Sequence, residues 1–269
     1  MQLTMIISAF LLAAQPASTQ GDPVKGKEEK VKLPEVSHSA FKPGERLEFD
    51  VSYGWIDAGE AIIEIKKDQT EIAGRDVWHV VGKGNSTGTF NWFFKVRDTY
   101  ETYLDAEGVF PWIFVRDVHE GGYEIKQYYT FDHYKGEVKN DKGKAYEIPL
   151  GVQDMISSFY RARAIDYSNA KPNEVFEIQA FVDDKVWPLK IRYLKDEIVK
   201  TDMGKFNCKV FVPVVQEGRI FKEEEDMMVW VTNDQNKIPV MAKAKVLVGS
   251  ITMELRDYSG LAHPIARID

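Results

Sequence analysis

Leu47, Phe49, Val51 and Tyr53 alternate with Glu48, Asp50 and Ser52. Successive side chains of a strand point to opposite faces, so this period of two describes a strand with one buried and one wet face. From Phe41 to Phe131 one such run follows another, broken by glycine turns. Pro43-Gly44 leads into a strand over Glu45–Tyr53, and Gly54 and Gly59 bracket a connection into Glu60–Lys66. Val77–Val81, Thr99–Leu104, Trp112–Val118 and Tyr123–Phe131 follow, the last two forming a hairpin around Glu120-Gly121-Gly122. Strands resume after Pro172-Asn173 at Val175–Phe181, Trp187–Leu194, Glu197–Thr201, Cys208–Gln216, Met227–Thr232, Val240–Val248 and Ser250–Tyr258. Strands that follow strands without intervening helices exclude a doubly wound fold. The expected class is mainly β: an antiparallel, strongly curved sheet or an open barrel, with a β-sandwich as the alternative.

One segment breaks the period. Met155, Ile156, Phe159, Tyr160 and Ala162 recur at helical spacing, with Asp154 at the start and Arg161 and Arg163 at the end to match the helix dipole. This predicts one inserted helix near 153–164. Its stripe of Met155, Ile156, Phe159 and Ala162 should pack on the concave side of the sheet or close one end. The amino terminus carries an apolar run over Met5–Ala14, too short to span a bilayer, followed by small residues. Residues 1–20 read as a cleavable secretory signal, although the start lacks Lys or Arg; a buried amino-terminal helix is the competing reading. Residues 21–40, rich in Lys, Glu, Pro and Gly, read as a flexible linker. Residues 41–269 then form a single domain, or two sub-lobes over 41–148 and 165–269. No later stretch suits a transmembrane anchor, and no cysteine follows the apolar run to take a lipid. Cys208 is the single cysteine, which excludes an intramolecular disulfide and suits a small buried hydrophobe.

The formal net charge of -7 disfavours nucleic acid as a partner, because phosphate binding wants a basic stripe. His38, His79, His119, His133 and His263 show no metal-ligand spacing, so neither a metal nor another cofactor is expected. Gly82–Gly88 lacks the order of a phosphate loop and reads as a mobile turn. Asp50, Asp57, Asp98 and Glu101 are the carboxylates that acid–base chemistry on a sugar would use, although wet strand faces normally carry such residues. Phe90, Trp92 and Phe94 would share one strand face. With Trp55 they are candidate liners of a ligand site, with Arg97 and Arg116 for an anionic group.

Several of these residues carry a family likeness. Phe41-x-Pro-Gly-Glu45-x-Leu47-x-Phe49-x-Val51-Ser52-Tyr53-Gly54 and Ala58-Gly59-Glu60-Ala61 resemble the uncharacterised bacterial DUF3108 family. So do Gly84-x-Ser86-x-Gly88, Val96-x-Asp98, Pro111-Trp112-x-Phe114 before Arg116, and the Asp154–Arg163 segment. The resemblance implies an exported envelope protein of a Gram-negative bacterium and carries no activity or site residue. The expected function is a periplasmic or secreted protein that binds an apolar or amphipathic envelope ligand, lipid or glycan, or supports envelope maintenance. Two alternatives stand beside it: a carboxylate-dependent enzyme acting on envelope polysaccharide, and a structural partner in an envelope protein complex. The missing catalytic motif favours binding over catalysis.

Overall fold

The computed structural model describes residues 31–214, 226–246 and 249–268. The signal segment and most of the linker lie outside the described residues. The strands are β1 (Arg46–Tyr53), β2 (Ile56–Ile72), β3 (Arg75–Ser86), β4 (Val96–Asp105), β5 (Pro111–Glu120), β6 (Tyr123–Asp132), β7 (Glu137–Asn140), β8 (Ala145–Glu147), β9 (Val175–Val182), β10 (Lys185–Thr201), β11 (Gly204–Pro213), β12 (Met227–Thr232), β13 (Pro239–Lys245), β14 (Ser250–Ser259) and β15 (Arg267–Ile268). Two helices interrupt them, α1 (Phe90–Phe93) and α2 (Met155–Arg163).

All the named strands belong to one antiparallel sheet. Its order is β8-β7-β6-β5-β4-β3-β2-β1-β14-β13-β12-β11-β10-β9, with β15 added to β11. Two meanders therefore meet where β1 pairs with β14, so the first and last long strands are neighbours. The path stays open, but its ends approach each other. Gln153 bridges to β9: its N–H donates to Gln179 O (2.8 Å) and its carbonyl accepts from Phe181 N–H (2.7 Å). Phe181 then packs against Tyr129 and Phe131 of β6, with ring centroids 5.3 and 6.1 Å apart. The result is a strongly curved, open barrel. Register shifts at Ile65/Gln69 in β2 and Tyr193/Lys195 in β10 supply part of the coiling, since a bulge bends and twists its strand.

Helix α2 lies inside the curve against β9 and β4. Asp154 caps it, accepting from the N–H groups of Ile156 and Ser157, and Ser157 Oγ accepts in return from the Asp154 N–H. Met155, Ile156 and Tyr160 are buried with Tyr100, Phe114 and Phe131. A second cluster gathers Leu47, Phe49, Phe206, Cys208, Trp230 and Leu255. Phe159 and Ile63 touch both clusters.

Several expectations are corrected. Gly82–Ser86 form the end of β3 and not a mobile turn; Gly84 pairs with Ala61 on one side and Asp98 on the other. The glycine at 82 makes room: a Cβ there would stand 3.0 Å from Ile156 Cδ1 of the helix. Phe90–Phe93 form a helical turn, so Phe90, Trp92 and Phe94 do not share a strand face. The dense aromatics mimic a strand, but the Phe94 N–H bonds back to Phe90 O at 2.9 Å and closes the turn. Trp187–Leu194 and Glu197–Thr201 are one strand, β10, bent at its bulge. The packed chain also begins before Phe41: Leu33 is buried with Val77, Phe110 and Trp112.

Candidate functional site

The interior is not filled. Between α2 and the facing strands lies a cavity of about 190 Å³. Phe159 and Ala162 of the helix form one wall, and Ile178, Leu189, Ile191, Phe211, Val229 and Met253 form the other. The lining is aliphatic and aromatic apart from Ser158, Arg163, Lys83 and Lys237. Bulges and a single short helix leave this gap, because nine residues of α2 cannot fill a sheet this broad.

Arg163 holds the helix at one end of the cavity. It is buried and forms a fork with Glu45, Nη1 to Oε1 at 2.6 Å and Nη2 to Oε2 at 2.8 Å. Its Nε donates to Asn236 O and its Nη2 also to Ala40 O, both at 3.1 Å. The guanidinium also lies over the rings of Phe41, Phe159 and Tyr160 at 5.2 to 5.5 Å. Arg163 therefore has its charge and most of its donors satisfied within the protein.

A polar pocket of about 380 Å³ adjoins the cavity. Ser39, Asp166, Ser168, Lys209, Asn233, Asp234 and Gln235 contribute to it. Tyr167, Phe211, Val231 and Lys237 line both spaces.

A second buried polar group lies inside β4 and β5. Asp98, Tyr100, Arg116 and Glu120 are all at most 5% exposed. Burial, and then the neighbouring Glu120 carboxylate, pushes the Asp98 carboxyl up to about 7. Asp98 also accepts the His119 N–H at 3.0 Å. Arg116 donates to Asp183 at 2.9 Å and to Met155 Sδ at 3.8 Å, tying β5 to the β9–β10 turn and the helix.

The residues singled out in the sequence are dispersed. Asp50 sits on the outer face, where Arg256 donates to it (2.8 Å) and to Glu48 (2.7 Å). Asp57 is exposed beside the first hairpin turn. Glu101 pairs with His79 at 2.7 Å, while Asp98 faces inward. These four carboxylates do not converge on one cleft. Trp55 and Trp92 are 92% and 89% exposed, on the β1–β2 turn and on α1. Phe94 covers Gly121 in the β5–β6 turn, and the exposed Arg97 donates to Ser86 O at 3.1 Å. None of Trp55, Phe90, Trp92, Phe94, Arg97 and Arg116 lines the cavity. The residues that do, such as Ile191, Phe211 and Val229, carry no local mark that separates them from any other inward strand residue. Met155, Ile156, Phe159 and Ala162 had a signal, their place on the apolar stripe of the helix.

A family model described as a protein of unknown function, DUF3108, matches residues 48–256. No curated protein matches the chain. Among solved structures, the beta-barrel-like protein of the domain of unknown function DUF1849 from Brucella abortus is similar, with a TM-score of 0.50 and 12% identity over 85% of this chain and 99% of that one. A hypothetical protein from Chlamydia trachomatis has a TM-score of 0.38 and 9% identity over 85% and 93% of the two chains. A DUF1089 family protein from Pseudomonas aeruginosa has a TM-score of 0.36 and 11% identity over 78% and 95%. The Brucella likeness is one of fold.

Proposed function

Because the chain belongs to the DUF3108 family, which carries no assigned activity, we propose from its interior that it is an exported binding protein for an apolar or amphipathic envelope ligand. The observation that carries this reading is the apolar cavity beside α2. Interiors normally close-pack, and an unfilled apolar space costs stability unless something occupies it. Its volume of about 190 Å³ exceeds the roughly 150 Å³ of a dry cavity that takes up benzene. It falls short of the roughly 300–1,000 Å³ typical of sites that enclose a drug-sized ligand. A single hydrocarbon tail or ring fits better than a whole two-chain lipid. Export rests on the signal-like amino terminus and lies outside the described residues. Among the described residues no helix is long and apolar enough to cross a membrane.

The test is solvent extraction of the purified protein followed by mass spectrometry, with binding of a fluorescent fatty-acid probe. Ala162→Phe projects into the cavity from the helix and should weaken probe binding by about tenfold or more while circular dichroism is retained. Unchanged affinity in this variant, with no extractable ligand, would overturn the proposal.

A second reading has its own observation. Trp55, Trp92 and Phe93, on neighbouring turns at one end of the barrel, are 92%, 89% and 86% exposed. Exposed aromatics of this kind suit contact with a lipid surface. Trp55→Ser with Trp92→Ser should abolish flotation with phospholipid vesicles; equal flotation of the parent and the double variant removes this reading.

A further inference from the structure

We infer that the ligand is an anionic, single-chain amphiphile, with its tail in the apolar cavity and its head group held by Lys237 in the adjoining polar pocket; this rests on the cavity reading above. The first ground is adjacency. The two spaces share Tyr167, Phe211, Val231 and Lys237, so only these side chains stand between them. Their chemistry differs sharply. One is mostly aliphatic and aromatic, whereas the other mixes hydroxyls, amides, carboxylates and lysines with Ala40, Tyr167, Phe211 and Val231. An apolar ligand would gain nothing in the polar pocket, and a polar one nothing in the cavity.

The second ground is the state of the charges at the junction. Arg163 is committed to Glu45, and Lys209 pairs with Asp196 at 3.1 Å. Asp234 is occupied by its own turn: it accepts from Thr232 Oγ1, Asn236 N, Lys237 N and Ala266 N. Lys237 differs. Its ammonium donates to Ile165 O at 2.7 Å and lies 5.9 Å from the Tyr167 ring, and it forms no ion pair with a carboxylate among the described residues. An ammonium has three donors, so two remain for a ligand. Burial holds the Lys237 ammonium below the usual lysine range, Asp166 acts the other way, and Arg163 adds to the lowering.

The third ground is backbone placement. Lys237 holds a φ of 50°, in the left-handed region that a residue with a Cβ rarely adopts. The Asp234 cap fixes the backbone there, and the half-buried side chain lines both spaces. His38, next to Ser39 of the polar pocket, is pushed down to about 4, by burial first and then by the cations Arg163, Lys237 and Arg161. A carboxylate or a phosphate could each accept the free donors of the ammonium.

The test is calorimetric binding of decanoate, decyl phosphate and decan-1-ol to the full chain, below micelle-forming concentrations, with Lys237→Gln and Lys237→Arg beside the parent. One or both anions should bind the parent about tenfold or more tighter than the alcohol. The tighter of the two identifies the head group. Lys237→Gln should lose this preference while keeping the alcohol affinity, which also reports that the cavity is intact; Lys237→Arg should keep it. Equal binding of all three by the parent, or a preference that survives in Lys237→Gln, overturns the head-group assignment and leaves the apolar cavity standing. Failure of all three to bind the parent overturns the cavity reading with it.

Discussion

Glu45 and Arg163 lie 118 positions apart, yet they form a buried, bidentate charge pair. Removing one partner of such a pair leaves a buried, uncompensated charge and typically costs about 3–5 kcal/mol. Together Glu45 and Arg163 anchor the helix to the start of β1. Asp98 and Glu120 illustrate the opposite case, two carboxyls crowded within one polar patch alongside Tyr100, Arg116 and His119. Asp98 is raised to about 7 by burial first and Glu120 second. A carboxyl whose folded pKa lies above its unfolded value of about 3.9 favours folding when protonated. Its contribution is fully present below about pH 4 and is lost as pH rises toward about 7. Asp98→Asn removes that loss. Its stability relative to the parent should therefore climb across this range, read by urea melts at pH 4, 5.5 and 7. A pH-independent difference would mean that Asp98 ionises normally. Asp154, raised to about 6 by burial despite its hydrogen bonds, adds to the parent slope with the same sign and is common to both proteins.

At the scale of elements, α2 decides what the barrel contains. Its cap and its Arg163 anchor fix both ends of a helix only nine residues long, too short to be stable alone. Its two central aromatics differ in surroundings. Tyr160 is 1% exposed and packs on Phe41 at 4.8 Å between ring centroids. Phe159 is half-buried and borders the cavity. Tyr160→Ala should cost about 3–5 kcal/mol, whereas Phe159→Ala, with open space on one side, should cost about 1–3 kcal/mol. Equal losses in urea melts would show that the cavity side is packed. The apolar stripe read from the sequence thus did not say which member would be the most buried. Tyr160, off that stripe, is buried because strands surround the helix on more than one side.

For the whole molecule, the decisive event is the approach of the two ends of the sheet. No ladder joins β8 or β6 to β9. The join consists of the Gln153 bridge, the Phe181 aromatic contacts, Arg116 to Asp183, and Tyr129 Oη donating to Asp184 at 2.8 Å. Phe181→Ala should therefore loosen this seam first. Hydrogen exchange at the Gln153 and Phe181 amides should quicken while the β1–β2 and β3–β4 amides keep their protection. Uniform exchange across the sheet would mean that the seam and the ladders open as one unit. The seam also shapes the cavity, since Ile178 of β9 and Leu189 of β10 line it.

The alternation of Leu47, Phe49 and Val51 with Glu48 and Asp50 already determined that the chain makes antiparallel strands. The Asp154 cap with its apolar stripe determined that one helix interrupts them. Both are local: they depend on side chains two to four positions apart, which the chain itself holds in register. Local signals failed where aromatics crowd a short helical turn at Phe90–Phe93, where glycines at 82 and 84 sit within a strand, and where short β7 and β8 show too few residues for a period. The pairing of β1 with β14, the joining of Glu45 to Arg163, and the cavity exist only after residues more than a hundred positions apart have met. An inward Ile191 or Phe211 looks the same in sequence whether it faces a neighbour or an empty space. The tertiary structure alone decided that difference, because a cavity is a property of how far the sheet curls and how little of its interior one helix can fill.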